Sequence, residues 1–294
     1  MEDSFINITS QNRSYDDSDY VYDEYDYHDY YDKEQKIMDV VKCIIICIGL
    51  PLILVAIHGV CSLVRNDHVA PIYIINLLIS DLIQLCCMIV EVVLPEDSII
   101  TTIFRIIYLC GLTASVGFMM CVALERYLVI AWPLWYRFRR TIKTSVVVCV
   151  VVWTLSLVTF FSVVFLADLV DMLIPFAVFL LLPLPLFIFF LGGTVKALSA
   201  AISVPADEKR RIVAVLILVL LIYTLLFLPY IILLLVEEAR HNITLGVVSF
   251  MFVKFSPLAD VFLYVFIRKG AVDKLLASLC RCRMDSDDSN RSTA

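Results

Sequence analysis

Charges are scarce inside the long apolar runs of this sequence, so each one that occurs there is a candidate for chemistry. Glu125 and Arg126 stand side by side, with Tyr127 next and Pro133-Leu134 shortly after. An acid and a base at the edge of a bilayer are costly and usually functional. The carboxylate can hold the guanidinium until a partner draws it away. The blander reading is that the pair marks a membrane interface. The charges inside other apolar runs include Glu91, Arg105 and Lys254. On insertion scales each costs ~2.5–3.5 kcal/mol at the centre of a helix, so they are expected to face a cavity rather than lipid. Glu91 can pair with Arg105 or with Lys254, which leaves one positive charge for an anionic ligand group. Tyr108, Tyr223, Phe227 and Tyr230 are expected to line an aromatic floor beneath it. The alternative is a structural ion pair with no ligand. No metal-ligand spacing, phosphate loop or placed nucleophile and base occurs, so the chain does not read as an enzyme.

The elements that position these residues follow from composition. The chain has 294 residues, is 61% hydrophobic and has a mean hydropathy of +0.91. A soluble domain is about 45–50% apolar. Seven apolar segments are expected, at about 38–64, 70–94, 100–131, 144–167, 172–198, 210–236 and 244–267, each long enough to cross a bilayer as a helix. The fold class is all-α: a seven-transmembrane helix bundle spanning 38–267. Arg65, Arg137, Arg139, Arg140, Lys143, Lys196, Lys209, Arg210, Arg211, Arg268 and Lys269 cluster at one set of segment ends. The opposite loops carry Glu96, Asp97, Asp168, Asp171, Glu237 and Glu238 against Arg240. The positive-inside rule then puts the amino end outside and the carboxyl end inside a plasma membrane.

Residues 1–37 form a separate acidic tail. Residues 1–36 alone carry a net charge of −8, which leaves about +2 for the rest of the chain. The tail is too polar to fold alone and reads as disordered. Its tyrosines, Tyr15, Tyr20, Tyr22, Tyr25, Tyr27, Tyr30 and Tyr31, lie among acids. They resemble the sulfated tails of chemokine and complement-peptide receptors, a device for steering a basic ligand. A plain solvated spacer is the alternative. Asn7, Asn12 and Asn242 each begin a sequon on the outer side and are candidates for glycosylation. Residues 268–282 repeat Val272, Leu275, Leu276 and Leu279 at helical spacing. They read as an amphipathic helix on the inner membrane surface. Cys280 and Cys282 at its end are palmitoylation candidates. A polar cytoplasmic tail, 283–294, follows. The ten cysteines form no disulfide framework.

Several stretches, in order, resemble rhodopsin-like (class A) G-protein-coupled receptors. They are Asn76-Leu-Leu-Ile-Ser-Asp81, Ser115, Glu125-Arg126-Tyr127, Trp153, Phe227-Leu-Pro229-Tyr230 and Asp260-Val-Phe-Leu-Tyr264. Within that family the chain looks most like the branch of proton-sensing, lysolipid and nucleotide receptors, fish receptors of the proton-sensing type among them. The resemblance implies that the sixth helix swings at Pro229 and that Arg126, with Glu125, Tyr127, Pro133 and Leu134, engages a heterotrimeric G protein. Tyr264 completes the activation motif. The resemblance also implies a buried polar network of Asp81, Ser115, Ser256 and Asp260, which could hold a sodium ion or water. No other cofactor is implied. Two neighbouring acids do not both ionise easily, which offers a route to pH sensitivity. Against that route, only four histidines occur, His28, His58, His68 and His241. The chain departs from the pattern at Ile53, where an asparagine is usual, and at Val261, where a proline is usual. Thr101 stands where the third-helix cysteine is expected, so the family's outer disulfide is not expected. The function expected is a receptor passing an extracellular signal (a proton, a lipid or a basic peptide) to a G protein. The alternatives are a non-signalling decoy for a basic peptide and a membrane transporter.

Overall fold

In a bilayer every backbone polar group must be satisfied within its own segment, so apolar runs of this length become helices. The computed structural model describes residues 18–65, 72–95, 98–133, 136, 142–166, 173–200, 206–240 and 242–267. Among the described residues there is no strand. The helices are α1 (Ser18–Arg65), α2 (Ile72–Val93), α3 (Ile99–Ala131), α4 (Ile142–Leu166), α5 (Leu173–Leu181), α6 (Pro183–Ala200), α7 (Ala206–Leu235), α8 (Glu237–Arg240), α9 (Ile243–Lys254) and α10 (Ser256–Ile267). They contain seven stretches long and apolar enough to cross a membrane. The seven-helix expectation is met, and the chain is a multi-pass membrane protein.

The crossings pack around α3. It touches α2, α4, α6 and α7, while α1 closes the ring against α2, α9 and α10. The buried side of the bundle is apolar, with Ile53, Leu78, Leu85, Met88, Phe118 and Phe227 fully covered. The outer side is apolar too: Val55 and Val147 are 70% and 61% exposed, as lipid-facing residues are. Small residues let α3 approach its neighbours closely. A methyl group added at Gly117 would sit 2.7 Å from Val152 Cγ1 on α4.

Prolines shape two of the crossings. Leu182 separates α5 from α6, and Pro183, which has no N–H to donate, opens α6. The seventh crossing breaks at Phe255, just before Ser256-Pro257. The Phe255 N–H still reaches the carbonyls of Met251 and Phe252, at 3.2 and 3.1 Å. Pro229 sits within α7 without ending it.

The first helix differs from expectation. It starts at Ser18, well inside the stretch read as an unfolded tail. The side chains of Tyr20, Tyr22, Tyr25, Tyr27, Tyr30 and Tyr31 lie outside the described residues. So do Tyr15, Asn7, Asn12, Leu134, Cys280, Cys282 and the segments 268–282 and 283–294.

At the mouth of the bundle, Thr101 occupies the position of the missing cysteine. Its hydroxyl donates to the Pro95 carbonyl at 2.8 Å, and Ser98 caps α3 by accepting from the Ile100 N–H at 3.3 Å. Hydrogen bonds therefore brace the turn from α2 to α3. The cysteines among the described residues are all free thiols.

Candidate functional site

Three polar clusters lie inside this apolar bundle. The first joins α1, α2, α3 and α9. Glu91 is buried on α2, and Lys254, at the last turn of α9, donates to both of its carboxylate oxygens, at 3.1 and 2.9 Å. The same ammonium lies 3.5 Å from the centroid of the Tyr108 ring on α3, a cation–π contact. Of the two partners open to Glu91, the fold chooses Lys254; Arg105 stands exposed on α3. Sequence reasoning missed Lys42. From α1 its Nζ lies 3.6 Å from Glu91 Oε2 and 3.1 Å from Asp39 Oδ1. The signal was available: Asp39 and Lys42 are three apart, the spacing that puts an acid and a base on one helical face. The result is a chain of alternating charge, Asp39–Lys42–Glu91–Lys254, running from the partly exposed Asp39 into the bundle.

Of the aromatic residues expected beneath this cluster, Tyr108 meets Lys254, while Tyr223 and Phe227 are packed core. Tyr223 and Phe227, one turn apart on α7, stack at 4.8 Å, and Phe187 of α6 meets Tyr223 edge-on at 5.2 Å. The Tyr223 hydroxyl donates to the Leu180 carbonyl. Tyr230 is only half buried and packs between Phe176 and Phe250.

The second cluster lies deeper. Ser115 on α3 donates to Asp260 Oδ2 on α10 at 2.8 Å. Gln84 on α2, also absent from the expected set, donates to Asp81 Oδ1 at 3.3 Å. Asp81, Gln84, Ser115, Ser256 and Asp260 are all fully buried. Four of their atoms have no protein partner: Asp81 Oδ2, Gln84 Oε1, Ser256 Oγ and Asp260 Oδ1. Buried polar atoms are rarely left so. All four are oxygens, the donor set that suits a hard cation or ordered water. The residues expected to hold a sodium ion therefore fit one, with Gln84 added.

The third cluster is at the far end of α3. Tyr136, in the chain just beyond α3, donates to Glu125 Oε1 at 2.7 Å. Tyr127 lies against α6, 5.7 Å from Phe190 and 5.8 Å from Phe189. That approach needs Gly193, where an added methyl group would fall 2.6 Å from Tyr127 Cε2. Arg126 is half buried and Pro133 exposed. Nearby, Arg211 at the start of α7 donates to the Ile267 carbonyl at the end of α10. Asn76 joins α2 to α4 by accepting from Trp153 Nε1 at 3.1 Å. Tyr264 is buried on α10.

The sequence is similar to those of known proteins. Residues 52–172 match the family 7 transmembrane receptor (rhodopsin family). Over 130 residues the chain is 35% identical to human Mas-related G-protein coupled receptor member X1, an alignment covering 42% of this chain and 39% of that receptor. Human Mas-related G-protein coupled receptor member X2 is 32% identical over 93 residues, covering 29% of this chain and 28% of the relative. Human G-protein coupled receptor 68 is 24% identical over 269 residues, covering 79% of this chain and 74% of the relative. The chain thus spans about two fifths or less of the Mas-related relatives. Its likeness to G-protein coupled receptor 68 runs most of its length. Seven crossings gathered around one central helix, with a family match from the first crossing through the fourth, are the architecture of the receptors that the chain resembles. The chain is similar to rhodopsin-like (class A) receptors. The Mas-related likeness was not anticipated from the motifs alone.

Proposed function

We propose that the chain is a plasma-membrane receptor, amino end outside, that binds an extracellular ligand at the Glu91–Lys254–Tyr108 cluster and activates a heterotrimeric G protein at the Glu125-Arg126-Tyr127 end. One observation carries this reading: the same three crossings connect the clusters. α2 bears Glu91 and Asp81; α3 bears Tyr108, Ser115 and Arg126; the seventh crossing bears Lys254, Asp260 and Tyr264 on either side of its break at Phe255. A ligand that pulls on Lys254 acts on a helix already interrupted one residue later. It thereby biases the position of Asp260 against Ser115. Such a break is the kind of bistable element that allosteric coupling needs. The sixth crossing, hinging at Pro229, then moves away from α3 and opens the Arg126 end.

A sodium ion held by Asp81, Asp260, Ser256 and Gln84 would offset charge that two buried carboxylates cannot both carry uncompensated. It would favour the resting arrangement. The Asn242 side-chain oxygen caps α9 by accepting from the Leu245 N–H at 3.1 Å. That leaves the amide nitrogen of this exposed residue for a glycan. Palmitoylation at Cys280 and Cys282 and sulfation of the tail tyrosines belong to the same reading.

The test is G-protein activation in cells expressing the chain, stepped from pH 8 to pH 6 and then exposed to basic peptides and anionic lipids, with Arg126→Ala as the control. The expected result is a response that the variant loses. A response unchanged in Arg126→Ala would refute the coupling. Ligand uptake without any activation would favour a decoy.

A further inference from the structure

We infer that Lys42 is an anion-binding residue of the outer cluster, and that the ligand presents it a carboxylate or phosphate group. This rests on the receptor reading above and names the ligand chemistry for that site. A lysine ammonium has three N–H donors. Lys254 spends all three, two on the Glu91 oxygens at 3.1 and 2.9 Å and one on the Tyr108 ring. Lys42 does not. Among the described residues it makes one hydrogen bond, to Asp39 Oδ1 at 3.1 Å, and its approach to Glu91 Oε2 at 3.6 Å is an ion pair too long to be a second. Yet its side chain is only 6% exposed. A buried ammonium with unspent donors is expensive, and buried donors are normally matched by acceptors. An oxygen acceptor is the partner that fits the donors Lys42 does not spend on Asp39. A negative group satisfies it best, because charge-assisted hydrogen bonds are the strong ones.

The surroundings give the route. Asp39 is the exposed end of the charge chain, with 36% of its side chain accessible, and it marks the side from which a ligand would approach Lys42. Asp39 is then the ligand's competitor. It holds Lys42 in the resting state and yields it when a stronger or bidentate anion arrives. Glu91 is already committed to Lys254, so it competes less.

The competition fixes the sign of two variants. Removing the acceptor, in Asp39→Asn, frees Lys42 and should tighten anion binding severalfold. Removing the donor, in Lys42→Met, should weaken it about tenfold or more, and Lys42→Arg should restore it. A basic ligand docking on Asp39 would give the opposite sign for Asp39→Asn.

The experiment is thermal unfolding of the purified full-length chain in neutral-lipid nanodiscs. It is titrated with oleoyl lysophosphatidate, with glycerol phosphate, and with uncharged monoolein. Saturable stabilisation by lysophosphatidate, or by glycerol phosphate, that is lost in Lys42→Met and strengthened in Asp39→Asn supports the assignment. Stabilisation by lysophosphatidate alone identifies a lipid ligand; stabilisation by both identifies a free anion's site. No saturable anion effect, an equal effect in Lys42→Met, or weaker binding in Asp39→Asn overturns it. If Lys42→Met fails to fold, Asp39→Asn decides alone. No G protein is present, so failure here combined with Arg126-dependent activation in cells would overturn the Lys42 assignment and leave the receptor reading standing.

Discussion

Breaking the Glu91–Lys254 pair should cost far more when one partner is removed than when both are. In Glu91→Met, Lys254 keeps only the face of the Tyr108 ring, and Lys42 falls back on Asp39. One buried ammonium is stranded. An unpaired charge in the apolar interior costs ~2.5–3.5 kcal/mol on insertion scales, and severed buried pairs cost ~3–5 kcal/mol. The variant should therefore lose about 3 kcal/mol, less than the full electrostatic figure because unfolded membrane helices also find partners. Lys254→Met should lose less, about 2 kcal/mol, since Lys42 lies 3.6 Å from the stranded carboxylate and can slide onto it. The double variant buries two thioethers and no unpaired charge. It should lie within about 1 kcal/mol of the parent. The coupling energy from this double-mutant cycle is then about 4 kcal/mol, well above the ~0.6 kcal/mol typical of hydrogen bonds between membrane helices. The assay is reversible unfolding in mixed micelles by titrated SDS, followed by circular dichroism. Additive losses, within the ~0.5 kcal/mol expected of independent sites, would refute the reasoning. They would mean that water reaches the pair and screens it.

Two adjacent glycines on α6 provide an internal control for packing. Gly193→Ala should cost about 1–3 kcal/mol, because the new methyl group displaces the Tyr127 ring from its stack on Phe190; the loss should vanish in a Tyr127→Ala background. Gly192→Ala meets nothing within 4 Å and should be neutral or stabilising by up to about 1 kcal/mol, by helix propensity alone; the same SDS titration reads both. For the deep cluster, sodium chloride should raise the unfolding temperature of the parent relative to choline chloride at equal ionic strength, and Asp81→Asn or Asp260→Asn should abolish that difference.

How much of this was legible in the sequence depends on whether the signal is local. The seven crossings were legible because each is a long apolar run. The beginning of α1 was not. Acidic, tyrosine-rich composition predicts a chain that cannot make its own core, but a helix already anchored in the membrane supplies a nucleus, and extending one costs less than starting one. The charges in the bundle mark a second boundary. Hydropathy identifies Glu91, Arg105 and Lys254 as expensive, yet which base meets the acid depends on how helices rotate about their axes. In runs apolar all round, periodicity leaves that rotation unspecified. Lys42 escaped for a related reason: near the start of a crossing a lysine reads as an interface anchor, and only the packing of α1 against α2 and α9 turns it inward. Gly193 is the limiting case. Nothing around Gly192-Gly193 says which of the two receives a ring from α3. The difference is a 100° turn of α6 seen by Tyr127, and it exists only once the two helices are docked. What pattern can predict here is which residues are costly to bury. What only the fold can supply is the partner that makes each one tolerable, and Lys42, buried with a single hydrogen bond among the described residues, is for that reason a place to look for a ligand.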